Sequence, residues 1–440
     1  MPAAQLEVWL DAGDGKRQAA HSRQMPAAQL EVWLDADIVA AATRVGSLYN
    51  DRGQVRFEYD KAWLAHPQTF ALDPALGLDS GTFFPRAEDG NFGIFLDSCP
   101  DRWGQTLMRR REALDAKDAR RAPKTLHAWD FLLGVQDDTR QGALRFCDPA
   151  DGVFQAAHAL AAPPVTSLRE LEAIALELTA KKIDNLSALR KWLAVLVAPG
   201  ASLGGARPKA NYRETDGSLW IAKFPSREDD RDVGAWEWVV HQLAVKARIA
   251  VPRAKCLRFN NPHHTFCVQR FDRADGRRVF YASAMTLLGA SQSEGKSYLD
   301  IAEFMQKHGA GQSQINQDLE QLFRRVVFNV AVGNRDDHLR NHGFVLTRQG
   351  WALSMAFDVN PAIDKTSHVL NLDESDNRPN MNSVLNTATY YGLEPARAKK
   401  IIGEILRVTS TWRVVAKTAG ISRADIEVTA AAFEGEHLRL

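Results

Sequence analysis

Cysteine is scarce. The 440 residues hold four, Cys99, Cys147, Cys256 and Cys267, too scattered to frame a disulfide scaffold. A reducing, cytosolic setting fits this usage. No apolar run approaches the ~20 residues that cross a bilayer. The first residues also lack the basic-then-apolar order of a secretion signal. The expectation is a cytoplasmic protein that makes no use of a membrane. Net charge is nearly absent too: 55 Lys and Arg stand against 54 Asp and Glu, a formal +1. That balance gives the whole chain no electrostatic reason to bind nucleic acid or membrane directly. A local basic patch remains open. What is present is the composition of an ordinary globular protein, 45% hydrophobic and 25% charged, long enough for two or three domains.

The start of the chain carries a duplication. MPAAQLEVWLDA occupies Met1 to Ala12 and recurs letter for letter from Met25 to Ala36, with a polar spacer between. A single exact copy reads as a duplicated or tag-like start, so 1–24 is set apart and expected to be disordered or loosely placed. From Gln29 the pattern is strand-like: Leu30, Val32 and Leu34 alternate with polar residues. Two further strands follow, flanking a turn at Asp51-Arg52-Gly53. Pro100 to Trp103 opens a charged helical run, 148–166 reads as a linker, and helical spacing returns between Leu168 and Val197. Next come a Gly-rich stretch (200–206), a strand from Leu219 to Phe224, a helix from about Val233 to Ala247, and further strand signals from Leu257 to Phe271. Beyond Tyr298 the chain is mainly helical, with one hairpin near 343–357. Sheet first and helices later, without regular βαβ alternation, predicts an α+β fold with two lobes.

The strongest chemical signal is Gly333-Asn334-Arg335-Asp336-Asp337-His338-Leu339-Arg340-Asn341-His342-Gly343. Upstream, Leu319, Leu322, Phe323, Val326, Val327 and Val330 mark a buried helix that Gly333 would stop. Downstream, the hairpin ends in Phe357-Asp358-Val359. Phosphoryl transfer uses an Asp, an Asn five positions on and a later metal-binding Asp. Asp336, Asn341 and Asp358 have that order. Asp336 would take the proton of the substrate hydroxyl, and Asn341 and Asp358 would offer hard oxygens to Mg²⁺ bridging ATP phosphates. Lys223, at the end of a short apolar strand, would steady the phosphates, with Glu237 on the next helix as its partner. The 200–209 stretch supplies glycines for a phosphate loop but matches neither G-x-G-x-x-G nor a Walker A motif. Two alternatives stand beside this reading. His338 with Asp336, Asp337 and His342 could ligate the metal of a hydrolase, although a distant partner set is lacking. His263, His264 and Cys267 hint at a metal site but are read as structural.

In combination these motifs resemble the HipA kinases of bacterial type II toxin–antitoxin systems. The resemblance spans roughly Leu30 to Thr411. It rests on Val45-Gly46-Ser47-Leu48, Asp97 to Gly104, Gly142 to Arg145, Ser202 to Lys209, Arg270-Phe271-Asp272-Arg273, and the Asn334-to-Gly343 loop with Asp358. It implies a bilobal protein-kinase-like fold with a small N-terminal β subdomain and a mainly helical C-terminal lobe. It also implies site roles. Gly204, Gly205, Ala206, Arg207, Pro208 and Lys209 resemble the phosphate-side loop, and Gln269, Arg270 and Phe271 the hinge that meets adenine. His338, Asn341 and Asp358 complete the ATP–Mg²⁺ site around Asp336. Ser202 matches a self-phosphorylated serine whose added charge would switch activity off. The implied substrate is a translation component, typically an aminoacyl-tRNA synthetase. A small helix-turn-helix antitoxin, HipB-like, would carry the toxin to operator DNA and supply most phosphate contacts.

The expected organisation is 1–24 tag-like, 25–147 a β-rich subdomain, 148–166 a linker, 167–275 the rest of the N-lobe and 276–440 the helical C-lobe. A catalytically silent corepressor and a small-molecule phosphotransferase remain as competing functions.

Overall fold

In a computed structural model of the chain, the residues described are 28–155, 162–179 and 207–440. The tag-like 1–24 segment, the helical spacing expected beyond Thr179, Ser202, Gly204, Gly205 and Ala206 fall outside them.

Alternation makes β1 (Ala28–Leu34) a strand: Leu30, Val32 and Leu34 are buried while their neighbours face outward. It pairs antiparallel with β2 (Thr43–Asp51) and β5 (Leu144–Cys147). With β3 (Gln54–Tyr59) and β4 (Thr82–Phe83) they form a sheet of order β4-β3-β2-β1-β5. Arg52 and Gly53 both take positive φ, 52° and 93°. That is the geometry a two-residue hairpin turn demands. Helix α1 (Arg102–Asp118) follows, capped by the Asp101 carboxylate on the Gly104 amide at 2.9 Å. The described ends of the 148–166 stretch are tied down. Gln155 N donates to Phe146 O at 2.8 Å, and Arg213 N to Pro163 O at 2.9 Å.

A second sheet joins β6 (Lys209–Arg213), β7 (Leu219–Lys223), β8 (Ala254–Leu257) and β9 (Thr265–Gln269) in the order β6-β7-β9-β8, all antiparallel. One face buries Tyr212, Trp220, Ala222 and Cys267 against α1 and α2 (Leu168–Leu178). On the other lie Ile221 and Lys223 and the helix α3 (Val233–Lys246). A short ribbon of β10 (Arg273–Ala274) and β11 (Arg277–Arg278) leads to the larger lobe. There β12 (Tyr281–Ser283), β13 (Gly343–Thr347) and β14 (Gly350–Leu353) form a three-stranded sheet. Around it stand α4 (Tyr298–His308), α5 (Gly311–Val332), α6 (Pro395–Thr409), α7 (Trp412–Thr418) and α8 (Arg423–Phe433). One continuous apolar cluster runs from β1 through α3 and α5 to α8. The α+β, two-lobed expectation therefore stands.

Candidate active site

Helix α5 is buried along its C-terminal half and stops at Gly333, which turns left-handed at φ 63°. A Cβ there would lie 2.7 Å from the Ala432 carbonyl, so glycine is required twice over. The loop that leaves it is fastened from beneath. Asn334 bonds back to Asn329 through both its backbone N–H (2.9 Å) and its side chain (3.0 Å). One oxygen of Asp337, Oδ2, accepts from Tyr298 Oη and Asn329 Nδ2, each at 2.7 Å, and meets His342 Nε2 at 2.7 Å. Burial opposes the charge on Asp337, but His342, the Tyr298 hydroxyl and His338 outweigh it and hold its pKa below the ordinary carboxylate range. With Asp337 drawn inward, its neighbour Asp336 points out, its side chain 62% exposed. Asn341 donates weakly to the Asp336 carbonyl at 3.4 Å, while its own Oδ1 is buried with no partner.

Beyond β14 the chain returns Asp358 to the same place in a left-handed conformation, φ 58°, unusual for a residue with a side chain. Its Oδ1 takes a bond from Lys223 Nζ at 2.6 Å, and the same ammonium reaches Glu237 Oε1 at 2.5 Å. Burial disfavours the Lys223 charge, yet Asp358 and Glu237 together hold its pKa above the usual lysine value. Asp358 is pushed up by burial and pulled further down by Lys223 and Lys209, so it stays ionised. A cleft of about 650 Å³ opens here, lined by Ile221, Val240, Phe266, Val268 and Phe357 beside the charged trio.

The sequence-predicted residues divide. Lys223, Glu237 and Asp358 line the cleft, Asn341 lines the adjoining pocket behind Phe357 and bonds the backbone of Asp336, and His338 acts electrostatically on Asp358. Phe271 stacks on Phe357 at 5.6 Å, flanking the cleft, and Gln269 ends β9. Other placements differ from the expectation. Arg207 is engaged at both guanidinium ends by Asp229 (2.8 and 2.6 Å), and the Pro208 carbonyl accepts from Phe224 N. Lys209 lines the cleft, but its ammonium is paired with Asp101 at 2.5 Å, both side chains 2% exposed. The Arg270 side chain turns into a buried polar cluster with the N-terminal subdomain. It donates to Thr139 O, Asn211 Oδ1 and both oxygens of Asp272, because a buried guanidinium takes whatever acceptors surround it. Sequence reading missed Asp101, Asp229 and Lys365, the last of which contacts Asp336. Asp101 lies within the Asp97-to-Gly104 motif, but nothing local marks its pairing with Lys209, and nothing local marks Asp229 or Lys365.

The metal-hydrolase alternative loses its ligands, since Asp337 and His342 are spent on each other. Among the described residues no group of three or more His, Cys, Asp or Glu is arranged for a metal. His264 pairs with Asp232 at 2.6 Å, and Cys267 is fully buried.

A lysine on the small sheet, gripped by a helix glutamate and reaching an aspartate that the larger lobe presents across a cleft, defines the two-lobed, kinase-like class. Family models place it further. Residues 36–147 match the HipA N-terminal domain and 201–412 the HipA-like C-terminal domain, together most of the chain. The chain belongs to the HipA family. Among solved structures, a chain from the Shewanella oneidensis MR-1 toxin–antitoxin complex of HipA, HipB and operator DNA superposes with a TM-score of 0.63. That match covers 92% of this chain and 95% of that one at 16% identity, a likeness of fold. The Helicobacter pylori proinflammatory kinase CtkA aligns with 51% of this chain and 94% of its own at 12% identity, but its TM-score of 0.34 is too low to bear on the fold. A Haemophilus influenzae protein, described only provisionally as a kinase, is 26% identical over 168 residues, 33% of this chain. The chain spans 48% of the length of that curated relative.

Proposed function

We propose that this chain is an ATP- and Mg²⁺-dependent serine/threonine protein kinase acting as the toxin of a type II toxin–antitoxin module. The observation that carries the reading is the Lys223 clamp. One largely buried ammonium, its side chain 13% exposed, is held between Glu237 of the small lobe and Asp358 of the large one. Buried charges are costly to arrange and cluster where chemistry needs them. The donor set fits Mg²⁺: Asn341 Oδ1 is a buried oxygen without a partner, and Asp358 is an ionised carboxylate. Bound ATP–Mg²⁺ would supply the phosphoryl group and neutralise its charge. The chain's own residues then do the rest. Lys223 binds phosphate oxygens, Asn341 and Asp358 hold the metal, and exposed Asp336 receives the proton of an incoming hydroxyl. Its exposure suits a protein acceptor, which arrives from outside the cleft.

The remainder follows the family. The substrate is a translation component, in this reading an aminoacyl-tRNA synthetase. Ser202 is the self-phosphorylation site, and a HipB-like helix-turn-helix antitoxin carries the protein to operator DNA. The near-zero net charge accords with contacts made mainly through such a partner.

The test incubates full-length protein with radiolabelled ATP–Mg²⁺ beside Asp336→Asn, followed by mass spectrometry of the 200–210 peptide. Label on Ser202 in wild type alone is the expected result. Unphosphorylated wild type that takes up no label and binds no ATP would refute the catalytic reading and leave a corepressor.

A further inference from the structure

Asp336, the proposed base, has a side-chain partner that no part of the motif anticipates. The Lys365 ammonium contacts its Oδ1. Lys365 lies seven residues beyond Asp358, on a stretch stitched to the catalytic loop at successive points. Ala362 N donates to Gly333 O at 2.9 Å, Arg335 Nη1 to the Lys365 carbonyl at 2.5 Å, and Val369 N to Arg335 O at 3.2 Å. The backbone carrying the lysine is therefore fixed to the residue that precedes the base. A free surface lysine reaching a nearby carboxylate would show no such anchoring.

Stability does not account for the pair. Its side chains are 37% and 62% exposed, and exposed ion pairs contribute little to folding. Among the described residues, three other cations near the cleft are paired with carboxylates: Lys223 with Glu237 and Asp358, Lys209 with Asp101, and Arg207 with Asp229. Lys365 is, among the described residues, the cation that meets the proposed base.

Building on the kinase reading, we propose that Lys365 is a further catalytic residue, bridging Asp336 and the phosphoryl group in transfer. The acceptor hydroxyl gives its proton to Asp336 through the oxygen that Lys365 does not engage. As the acceptor O–P bond forms, the bond from the γ-phosphorus to the β-phosphate oxygen breaks, and its electron pair leaves on ADP. Lys365 gains and loses no covalent bond. It donates one hydrogen bond to Asp336 Oδ1 and would offer its remaining N–H donors to a non-bridging oxygen of the moving group. Fixed donors aimed at charge in transit are among the strongest contributors to catalysis.

The experiment compares dephosphorylated full-length wild type, Lys365→Met and Lys365→Arg. It reads the initial rate of self-labelling at saturating ATP–Mg²⁺, affinity for a fluorescent ATP analogue, and thermal stability. The methionine variant should label about 100-fold more slowly, the scale of losing one transition-state donor. Its nucleotide affinity should stay within about threefold and its melting temperature should be unchanged, since an exposed pair contributes little to either. Arginine should restore much of the rate. Labelling at the wild-type rate in Lys365→Met overturns the proposal. Faster labelling also overturns it, making the contact an autoinhibitory mask. A loss confined to nucleotide affinity would reassign the lysine to ATP binding. Wild type that takes up no label at all sinks the kinase reading itself, an outcome distinct from the others.

Discussion

Two adjacent aspartates in one loop have opposite fates. Asp337 is swallowed by three partners and Asp336 is left outside. The buried one sets the direction of the exposed one, since successive side chains of this loop point to different sides. Asp337→Asn should therefore lower stability by about 2 kcal/mol at neutral pH, the cost of weakening charge-assisted bonds to buried donors. Urea denaturation would measure it. The pH dependence has a definite sign. A carboxylate whose folded pKa is depressed stabilises above its unfolded value, near 4, and loses that contribution as pH falls through the folded one. Wild type should thus weaken progressively below about pH 4, and the Asn variant should show a shallower loss.

At the scale of elements, the Lys223–Glu237 bond depends on where α3 lies. Its placement is fixed from both sides. Gly234 packs on strand β9's approach so closely that a Cβ would meet the His264 carbonyl oxygen at 2.1 Å. Asp232 caps α3 through Ala235 N and holds His264 as well. On the far side Trp236, the neighbour of Glu237, packs on Trp412 and Phe433 at 6.1 and 6.0 Å, and these two rings stack at 4.5 Å. Helices α7 and α8 thus hold the helix that carries the lysine's partner. Trp412→Ala should cost about 3–5 kcal/mol by thermal or chemical unfolding. It should also weaken ATP binding in a fluorescent-nucleotide titration, although Trp412 is remote from the cleft in sequence. A variant that loses stability while ATP affinity holds would show that α3 keeps its place unaided.

These examples show which parts of the site could be read from the chain. Asp336, Asn341 and Asp358 lie within 23 residues, on a helix stop, a loop and a hairpin whose apolar spacing is visible, so local pattern placed them. Lys223 and Glu237 were legible because a strand feeding directly into a helix brings residues 14 apart together. Lys209–Asp101 and Lys365–Asp336 had no such signature. They join residues 108 and 29 positions apart, across elements whose relative placement only the packed core decides. Arg270 shows a related limit: a motif fixes a residue's place in the chain, but its side chain goes where buried acceptors are.

For the whole molecule, the N-terminal subdomain is joined to the two lobes by buried polar contacts rather than laid against them. Asp97 accepts from Ser283 N and Oγ at 2.7 Å each, tying the first subdomain to β12. Asp272 accepts from Gly142 N, and Arg278 donates to Asp137 O. Cutting there would strand buried charges, a large penalty. The full chain should therefore unfold in one calorimetric transition, and a fragment beginning at residue 162 should fail to give a cooperative one. Two resolved transitions would mean that the subdomain folds independently.

Arg270 and Asp272 occupy the segment where the small lobe passes into the large one, and both are fastened to residues 139–142 of that subdomain. A joint braced from outside has surrendered its freedom to bend at the moment of folding. Freedom already given up need not be given up again when a ligand arrives. On the proposed kinase reading, a nucleotide entering the cleft would meet lobes already braced at this joint, with part of the entropy of ordering them charged to the subdomain beforehand.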